Sequence, residues 1–402
     1  MKIHGKTFGE IFELLPWAYK ALVVIGISFI LFVTLYTGGL IFRPATKVYP
    51  SPLFIAALEK DISSYDPALA TNPVTGETWL AFSNILPLDI QRKNFGPGIR
   101  LASSAPPCKL WDLRDEGFKP FLDTITAPDN QTTIAGGIWR YETPTLIYDP
   151  DDLGHEWKLY AYKYMWTSDG NFQVARRYNM IVYRSSHTPI KGWTAEQWAF
   201  SAKADYPPPP YQDLISQKID DLDPTLSDII MFSRPSAVYA NGMIIMSLSA
   251  FTGNRLPDRI VMIASADHGK TWQYLGTPLT AADAEKSGAY SKLDGATLLK
   301  QGDNIYLTAV FGDQGTSALG TFVFSFKDVM KGQLQRDPKT GAPLLLQHVS
   351  RSSGKPTLVG GGYAAYSDAC PFGMLTGEHS GIKGVFQLFK TLRNPDGSPA
   401  KE

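Results

Sequence analysis

The chain has 402 residues, 44% of them hydrophobic and 19% charged, and its 38 basic and 38 acidic side chains cancel to a formal net charge of zero. No field of one sign draws such a chain toward nucleic acid or an acidic partner, so nucleic-acid binding is excluded as the expected role. With 35 Gly and 29 Pro, the composition is globular and rich in turns, enough for one large all-β domain or two ordinary ones.

The first predicted element is a membrane span. Residues 21–42, "ALVVIGISFILFVTLYTGGLIF", carry no charge. About 20 apolar residues, at 1.5 Å rise each, cross a hydrocarbon core of about 30 Å. The run is too long for the apolar part of a signal peptide, and no small-x-small cleavage site follows before Arg43 and Lys47. A retained helical anchor is therefore expected over 21–42, after a tail over 1–20. Lys2, Lys6 and Lys20 precede it, which favours an inner amino terminus and a soluble part outside the cytoplasm.

A linker over 43–56, opening with "RPATKVYPSPL", leads into a β-rich domain over 57–402. Runs such as "WKLYAYKYMW", "GMIIMSLSAF", "NIYLTAVFGD" and "GTFVFSF" are apolar and aromatic, bounded by Gly, Pro, Asn and Asp, as strands are. Five stretches then line up, starting at Tyr65 ("YDPALATNPVTGETWLAFS"), Tyr141 ("YETPTLIYDP"), Phe232 ("FSRPSAVYANGMIIMSLSAF"), Lys292 ("KLDGATLLKQGDNIYLTAVFG") and Tyr366 ("YSDACPFGMLTGEHSGIKGVFQLFKT"). Each has a charged residue, a Pro or small residue, a short apolar strand, a polar turn and a second strand. The copies start further apart than the about 40 to 50 residues of short-repeat propellers, and long loops account for the excess. A strand pair repeated five times fits an all-β, five-bladed β-propeller behind one N-terminal transmembrane helix, with a β-sandwich pair or a β-helix as the alternative. In a propeller the first strand of each blade lines the central channel, so the five charged strand mouths converge.

Three acids stand at such mouths. Asp66 precedes Pro67, Glu142 lies two residues before Pro144, and Asp294 precedes Gly295; the third copy carries Arg234 instead and the fifth offers Asp368, both candidates to bind a substrate. Crowded carboxyls raise the pKa of at least one among them, the condition for acid–base chemistry on a neutral bond. Singly, each acid also reads as a turn cap or a surface ion pair. Trp139 and Tyr141 are candidates to stack on a ligand from the second copy, whereas Tyr162, Tyr164 and Trp166 at alternating positions read as core.

"SADHGKTW", residues 265–272, is the sharpest local motif. It resembles the Asp box of sialidases and other propellers, a hairpin turn in which Asp267 would accept backbone amides, Gly269 take a positive φ and Trp272 pack between blades. Such a turn specifies fold and not chemistry. The repeat itself resembles the five-bladed glycoside hydrolases of the arabinanase, xylosidase and invertase type. That resemblance implies Glu142 as general acid, Asp66 as base or nucleophile, Asp294 as an orienting acid, and a carbohydrate partner. It departs from the pattern in carrying the Glu in the second copy, where those families have it in the third. Arg234, with Arg255, Asp258 and Arg259 before "SADHGKTW", also admits a sialidase-like reading, in which arginines clamp a substrate carboxylate. A non-catalytic glycan- or protein-binding propeller is the reading from another class.

No cofactor is implied. The six histidines have no ligand-like spacing, no H-E-x-x-H or G-x-S-x-G occurs, and no glycine loop for phosphate opens a helix. The acidic stretch at 220–228, "DDLDPTLSD", lacks the spacing and glycine of a calcium loop. Cys108 and Cys370 have no zinc spacing; they are two buried free thiols or, in an exported domain, a bridge between its first and last units.

Overall fold

Each of the five copies falls in its own, mainly antiparallel sheet in the computed structural model. The structure describes residues 2–3, 6–7, 46–48, 51–58 and 62–400, except 89–94, 127–132, 168–177, 202–214, 219–220, 254–255, 288–291, 313–319, 352–362 and 380–384. The chain divides into two units, Met1–Pro44 and Ala45–Glu402. In the first, Lys2–Ile3 and Lys6–Thr7 pair antiparallel. The span expected at 21–42 lies outside the described residues, among which no helix is long and apolar enough to cross a membrane.

The second unit is a five-bladed β-propeller. From the centre outward, blade 1 runs Ser64–Thr71, Thr78–Pro87, Phe95–Ser104, Trp111–Phe118. Blade 2 runs Thr133–Tyr148, Trp157–Trp166, Asn179–Ser186, Gln197–Ser201, and blade 3 runs Met231–Ala240, Met243–Phe251, Arg259–Ser265, Gln273–Thr280. Blade 4 runs Lys292–Gln301, Asn304–Gly312, Thr321–Asp328, Leu345–Arg351, and blade 5 runs Ala364–Ala365, Leu375–His379, Phe386–Lys390. Each innermost strand packs against the next, and the strands of the fifth blade pack against the innermost strand of the first, so the ring closes.

The second strand of each of blades 1 to 4 is sandwiched on both faces. That is why its sequence is an almost continuous apolar run and not an alternating one. Hydrophobic layers fill the gaps between successive blades: Trp79, Trp139 and Trp157 between the first two, Phe200, Phe232 and Trp272 between the next two. Turn chemistry fixes the hairpins. Asn241 and Gly242 both take positive φ, 53° and 73°, as a two-residue turn between the first strands of blade 3 demands.

Three short strands within the stretch expected as linker, 43–56, join the ring. Thr46–Val48 adds in parallel to the outer edge of blade 4, Ser51–Pro52 completes blade 5, and Ile55–Ala56 adds to blade 1. Its strands are two or three residues long and borrow partners from distant parts of the chain, so the local sequence has no period to betray them. The two cysteines are joined, Cys108 to Cys370, across a sequence separation of 262. The bond ties blade 1 to blade 5.

The turn at 265–272 behaves as its residues predict. Asp267 accepts hydrogen bonds from the Thr271 amide and hydroxyl and from the Ser265 hydroxyl, at 2.8, 2.7 and 2.8 Å. Gly269 has φ 93° and lies so close to Tyr160 that a Cβ there would stand 2.4 Å from its hydroxyl. Trp272 meets Tyr160 and Phe200 of blade 2 edge-on, with centroids 6.1 Å away in both cases. We expect Asp267→Ala to lower stability by about 2 kcal/mol in urea denaturation, through lost and unsatisfied donors. Because the turn is remote from the channel mouth described below, no change in any activity should accompany it.

Candidate functional site at the channel mouth

Proline lacks the N–H a ladder needs, and the innermost strands answer it with a bulge at the same height. Strand register breaks between Tyr65 and Ala68, Glu142 and Thr145, Ser233 and Ser236, and Leu293 and Gly295. At three of these breaks the residue before the proline holds a positive φ: Asp66 at 51°, Thr143 at 51°, Arg234 at 54°. A residue before proline rarely takes the helical region and a non-glycine rarely takes positive φ, so the backbone is strained three times over at one end of the channel. In blade 4 the same position is Asp294-Gly295. A Cβ on Gly295 would fall 2.6 Å from Arg234 and 2.7 Å from the Tyr363 hydroxyl, so glycine there is what lets those two side chains pass.

The bulges bring the acids together. Asp66, Glu142 and Asp294, with Arg234, line one cavity of about 500 Å³ whose walls include Tyr65, Tyr162, Tyr363, Met231, Phe251 and Phe386. Blades 1, 2 and 4 each contribute one carboxyl and blade 3 the guanidinium. Asp66 is 9% exposed. Its Oδ2 accepts the Ser83 hydroxyl at 3.2 Å, and Ser83 in turn accepts the Thr143 amide at 2.9 Å, a relay joining the first two blades. Glu142 accepts two phenols, Tyr65 on Oε1 at 2.8 Å and Tyr164 on Oε2 at 2.9 Å. Arg234 donates to Asp294 at 2.9 Å, and its guanidinium carbon lies 5.5 Å from the centre of the Tyr363 ring.

Burial and, next, the neighbouring Glu142 charge push the Asp66 carboxyl up to about 7, against the opposing pull of Arg234 and Ser83. Burial, then the Glu142 charge, also raise Tyr65 and Tyr164, which keeps both phenols as donors. Burial works against the Arg234 charge, but Asp294, Tyr363, Asp66 and Glu142 together outweigh it and raise its pKa. The cavity thus holds one carboxyl that exchanges its proton near neutrality beside another held as a hydrogen-bond acceptor.

Three expected ligands of the site lie elsewhere. Trp139 and Tyr141 are 1% and 2% exposed and belong to the layer between blades 1 and 2. The Trp139 indole donates to Asp123 and the Tyr141 hydroxyl to Glu196, at 2.9 and 2.7 Å. Their rings flank the ammonium of Lys163, 4.7 and 5.3 Å from the centroids, which itself pairs with Glu196 at 2.6 Å. Their stacking faces are therefore occupied from within. Asp368 sits at the far ends of the innermost strands, in a cavity of about 610 Å³ shared with Thr71, Tyr148, Tyr239 and Lys300. It accepts the Gly302 amide and the Tyr366 hydroxyl. The innermost strand of blade 5 is Ala364–Ala365, ahead of Tyr366, so the residue at the channel mouth is Tyr363 and not Asp368.

Tyr65, Tyr162, Tyr164 and Tyr363 are the site residues that sequence reading misses or places in the core. A signal for two of them exists. Tyr162 and Tyr164 stand at i and i+2, on one face of a strand, and Tyr162 pairs in register with Glu142.

Among the described residues, Asp149, Asp152 and His268 are spaced as metal ligands would be. A cation already sits against both carboxylates. The Lys158 ammonium bonds to Asp152 and lies 3.8 Å from Asp149, which also meets His268 Nδ1 at 3.0 Å. This network pins the turn at 265–272 to blade 2. In the acidic stretch, Asp223 caps the short helix Pro224–Leu226 and Asp228 pairs with Arg259 at 2.7 Å.

No family model and no curated protein matches this chain. Solved structures are similar to it at low identity. A protein of unknown function from Dyadobacter fermentans is 12% identical, over 86% of this chain and 97% of that one, with a TM-score of 0.49. An α-L-arabinanase from Penicillium chrysogenum is 15% identical, over 87% and 83%, with a TM-score of 0.41. A fructofuranosidase from Schwanniomyces occidentalis is 11% identical, over 87% of this chain and 60% of that one, with a TM-score of 0.49.

Proposed function

We propose that the mouth of the channel binds a carbohydrate and hydrolyses a glycosidic bond, with Asp66 and Glu142 as the working pair and Asp294 and Arg234 as substrate-orienting groups. The observation that carries this reading is the convergence of three carboxyls from three blades on one tyrosine-walled cavity of about 500 Å³. Small-molecule sites run from about 300 to 1,000 Å³. Glycoside hydrolysis asks for one carboxyl protonated near neutral pH and one ionised, both facing the same sugar. Acids that only capped turns would face separate surfaces, and a binding module would scatter them around the rim. The sialidase-like reading asks for three arginines at one point. Arg234 is the one cation among the described residues lining the cavity, and Asp294 already holds it; Arg259 pairs with Asp228, and Arg255 lies outside the described residues.

The same reading places the propeller outside the cytoplasm, held by an anchor over residues 21–42. The charge-free run supports the anchor, and the Cys108–Cys370 bond suits an oxidising compartment. The test is a panel of pyranosides and furanosides. Wild type is expected to turn over at least one of them, and the Asp66→Asn, Glu142→Gln double variant to lose about 10³-fold or more, the scale of acid–base assistance. A wild type inert across the panel, or a double variant as fast as wild type, overturns it.

A further inference from the structure

The two carboxyls of the pair are not equivalent, and the difference assigns their roles. Both oxygens of Glu142 accept a phenol hydrogen, one from Tyr65 and one from Tyr164. A proton added there would turn an acceptor into a donor and disturb one of those bonds. Asp294 is committed to Arg234. Asp66 differs from both. Its Oδ2 takes the Ser83 hydroxyl, its Oδ1 accepts from no described residue, and the side chain faces the cavity. Ser83 accepts the Thr143 amide, so its own hydrogen is directed at Asp66. Of the pair, Asp66 has the oxygen free to hand a hydrogen into the cavity.

We propose that Asp66 is the proton donor of this site and that Glu142 is its ionised partner, the reverse of the roles the sequence resemblance implies. The inference rests on the hydrolase reading above. In the reaction, the Asp66 hydrogen passes to the glycosidic oxygen as the bond from that oxygen to the anomeric carbon breaks and the alcohol leaves. A water oxygen bonds to the anomeric carbon, and its proton goes to Glu142. Exchange with solvent then returns a proton to Asp66 and removes one from Glu142, with one water consumed. The raised pKa of Asp66 agrees with this order.

Leaving-group dependence tests it. With the sugar that the panel identifies, alkyl glycosides need a proton on departure and 2,4-dinitrophenyl glycosides do not. Asp66→Asn should slow the alkyl substrate about 10² to 10⁴-fold and leave the dinitrophenyl substrate within about tenfold of wild type. Glu142→Gln should slow both alike. The opposite pattern, with Glu142→Gln sparing the dinitrophenyl glycoside, overturns the proposal. Carboxyl ¹³C titration of the wild-type protein gives a readout that needs neither turnover nor a variant. A protein inert on every glycoside in which Asp66 still titrates near neutrality overturns the hydrolase reading and leaves the proton where we place it. An Asp66 already ionised at pH 5 overturns the proposal whatever the activity.

Discussion

Asp66→Asn is expected to be more stable than wild type at pH 8 by about 4 kcal/mol, and equal to it below pH 4. The folded Asp66 carboxyl is raised to about 7 from an ordinary 3.8. A raised carboxyl binds its proton more tightly in the folded state than in the unfolded one. The stability this gives is therefore complete below pH 3.8, falls as pH rises through the interval, and is gone above about 7. Asparagine has nothing to ionise. It keeps the shape, and its carbonyl can still accept the Ser83 hydroxyl, so the variant does not follow the decline. Titrating groups remote from the cavity are common to both proteins and cancel in the difference. Urea midpoints of the two proteins, compared from pH 4 to pH 8, give the answer directly. A turn-capping aspartate would behave oppositely: its loss would destabilise the fold at every pH where it is charged. Asp66→Asn losing stability at pH 8 would remove the carboxyl from the chemistry of the site.

That contrast shows why sequence could locate the acids but not rank them. An acid ahead of Pro67 or Gly295, at the start of an apolar run, marks a strand mouth that a bulge will bend, and the convergence of several such mouths follows once the repeat is seen. Glu142 is legible by the same pattern one residue earlier, since Thr143 takes the strained position. Which acid carries the proton depends on Tyr65, Tyr164 and Ser83, whose contacts cross between blades or strands. The misread residues fail for related reasons. Trp139 lies where its strand pairs on one side with Phe121–Thr126 and on the other with Trp157–Trp166, and Tyr141 stacks on Phe118 of blade 1 at 5.0 Å, so both are buried. Blade 5 begins with a two-residue strand, too short to carry a period, so its register slides and Asp368 takes the place that belongs to Tyr363. Parallel edge strands such as Thr46–Val48 have their partners hundreds of residues away.

Ring closure makes the other large effect. Replacing both cysteines by serine is expected to lower stability by up to about 5.6 kcal/mol, the chain-entropy value for a loop of this length. The loop between Cys108 and Cys370 covers a sequence separation of 262, most of the propeller. Among the described residues, hydrogen bonds also cross this seam, Thr71 with Ser367 at 2.6 Å and the Phe386 amide to Ser63 at 3.2 Å, but none is covalent. Blade 5 has strands of two, five and five residues, and Ser51–Pro52 meets it through two paired positions, Phe389 with Pro52 and Lys390 with Ser51. Both sulfurs are buried, in an apolar layer with Ile55, Trp111, Phe372 and Leu388. Serine hydroxyls there would lack the covalent bond and sit in an apolar setting. Blade 5 should therefore open first, and amide exchange over Leu375–His379 and Phe386–Lys390 should rise well before that of Met243–Phe251 in blade 3. Dithiothreitol on the wild-type protein should lower the denaturation midpoint in the same way. Should the midpoint stay where it is under full reduction, with thiol titration confirming two free cysteines, the closure must reside in the hydrogen bonds of Ser51–Pro52 and the packing around Trp111.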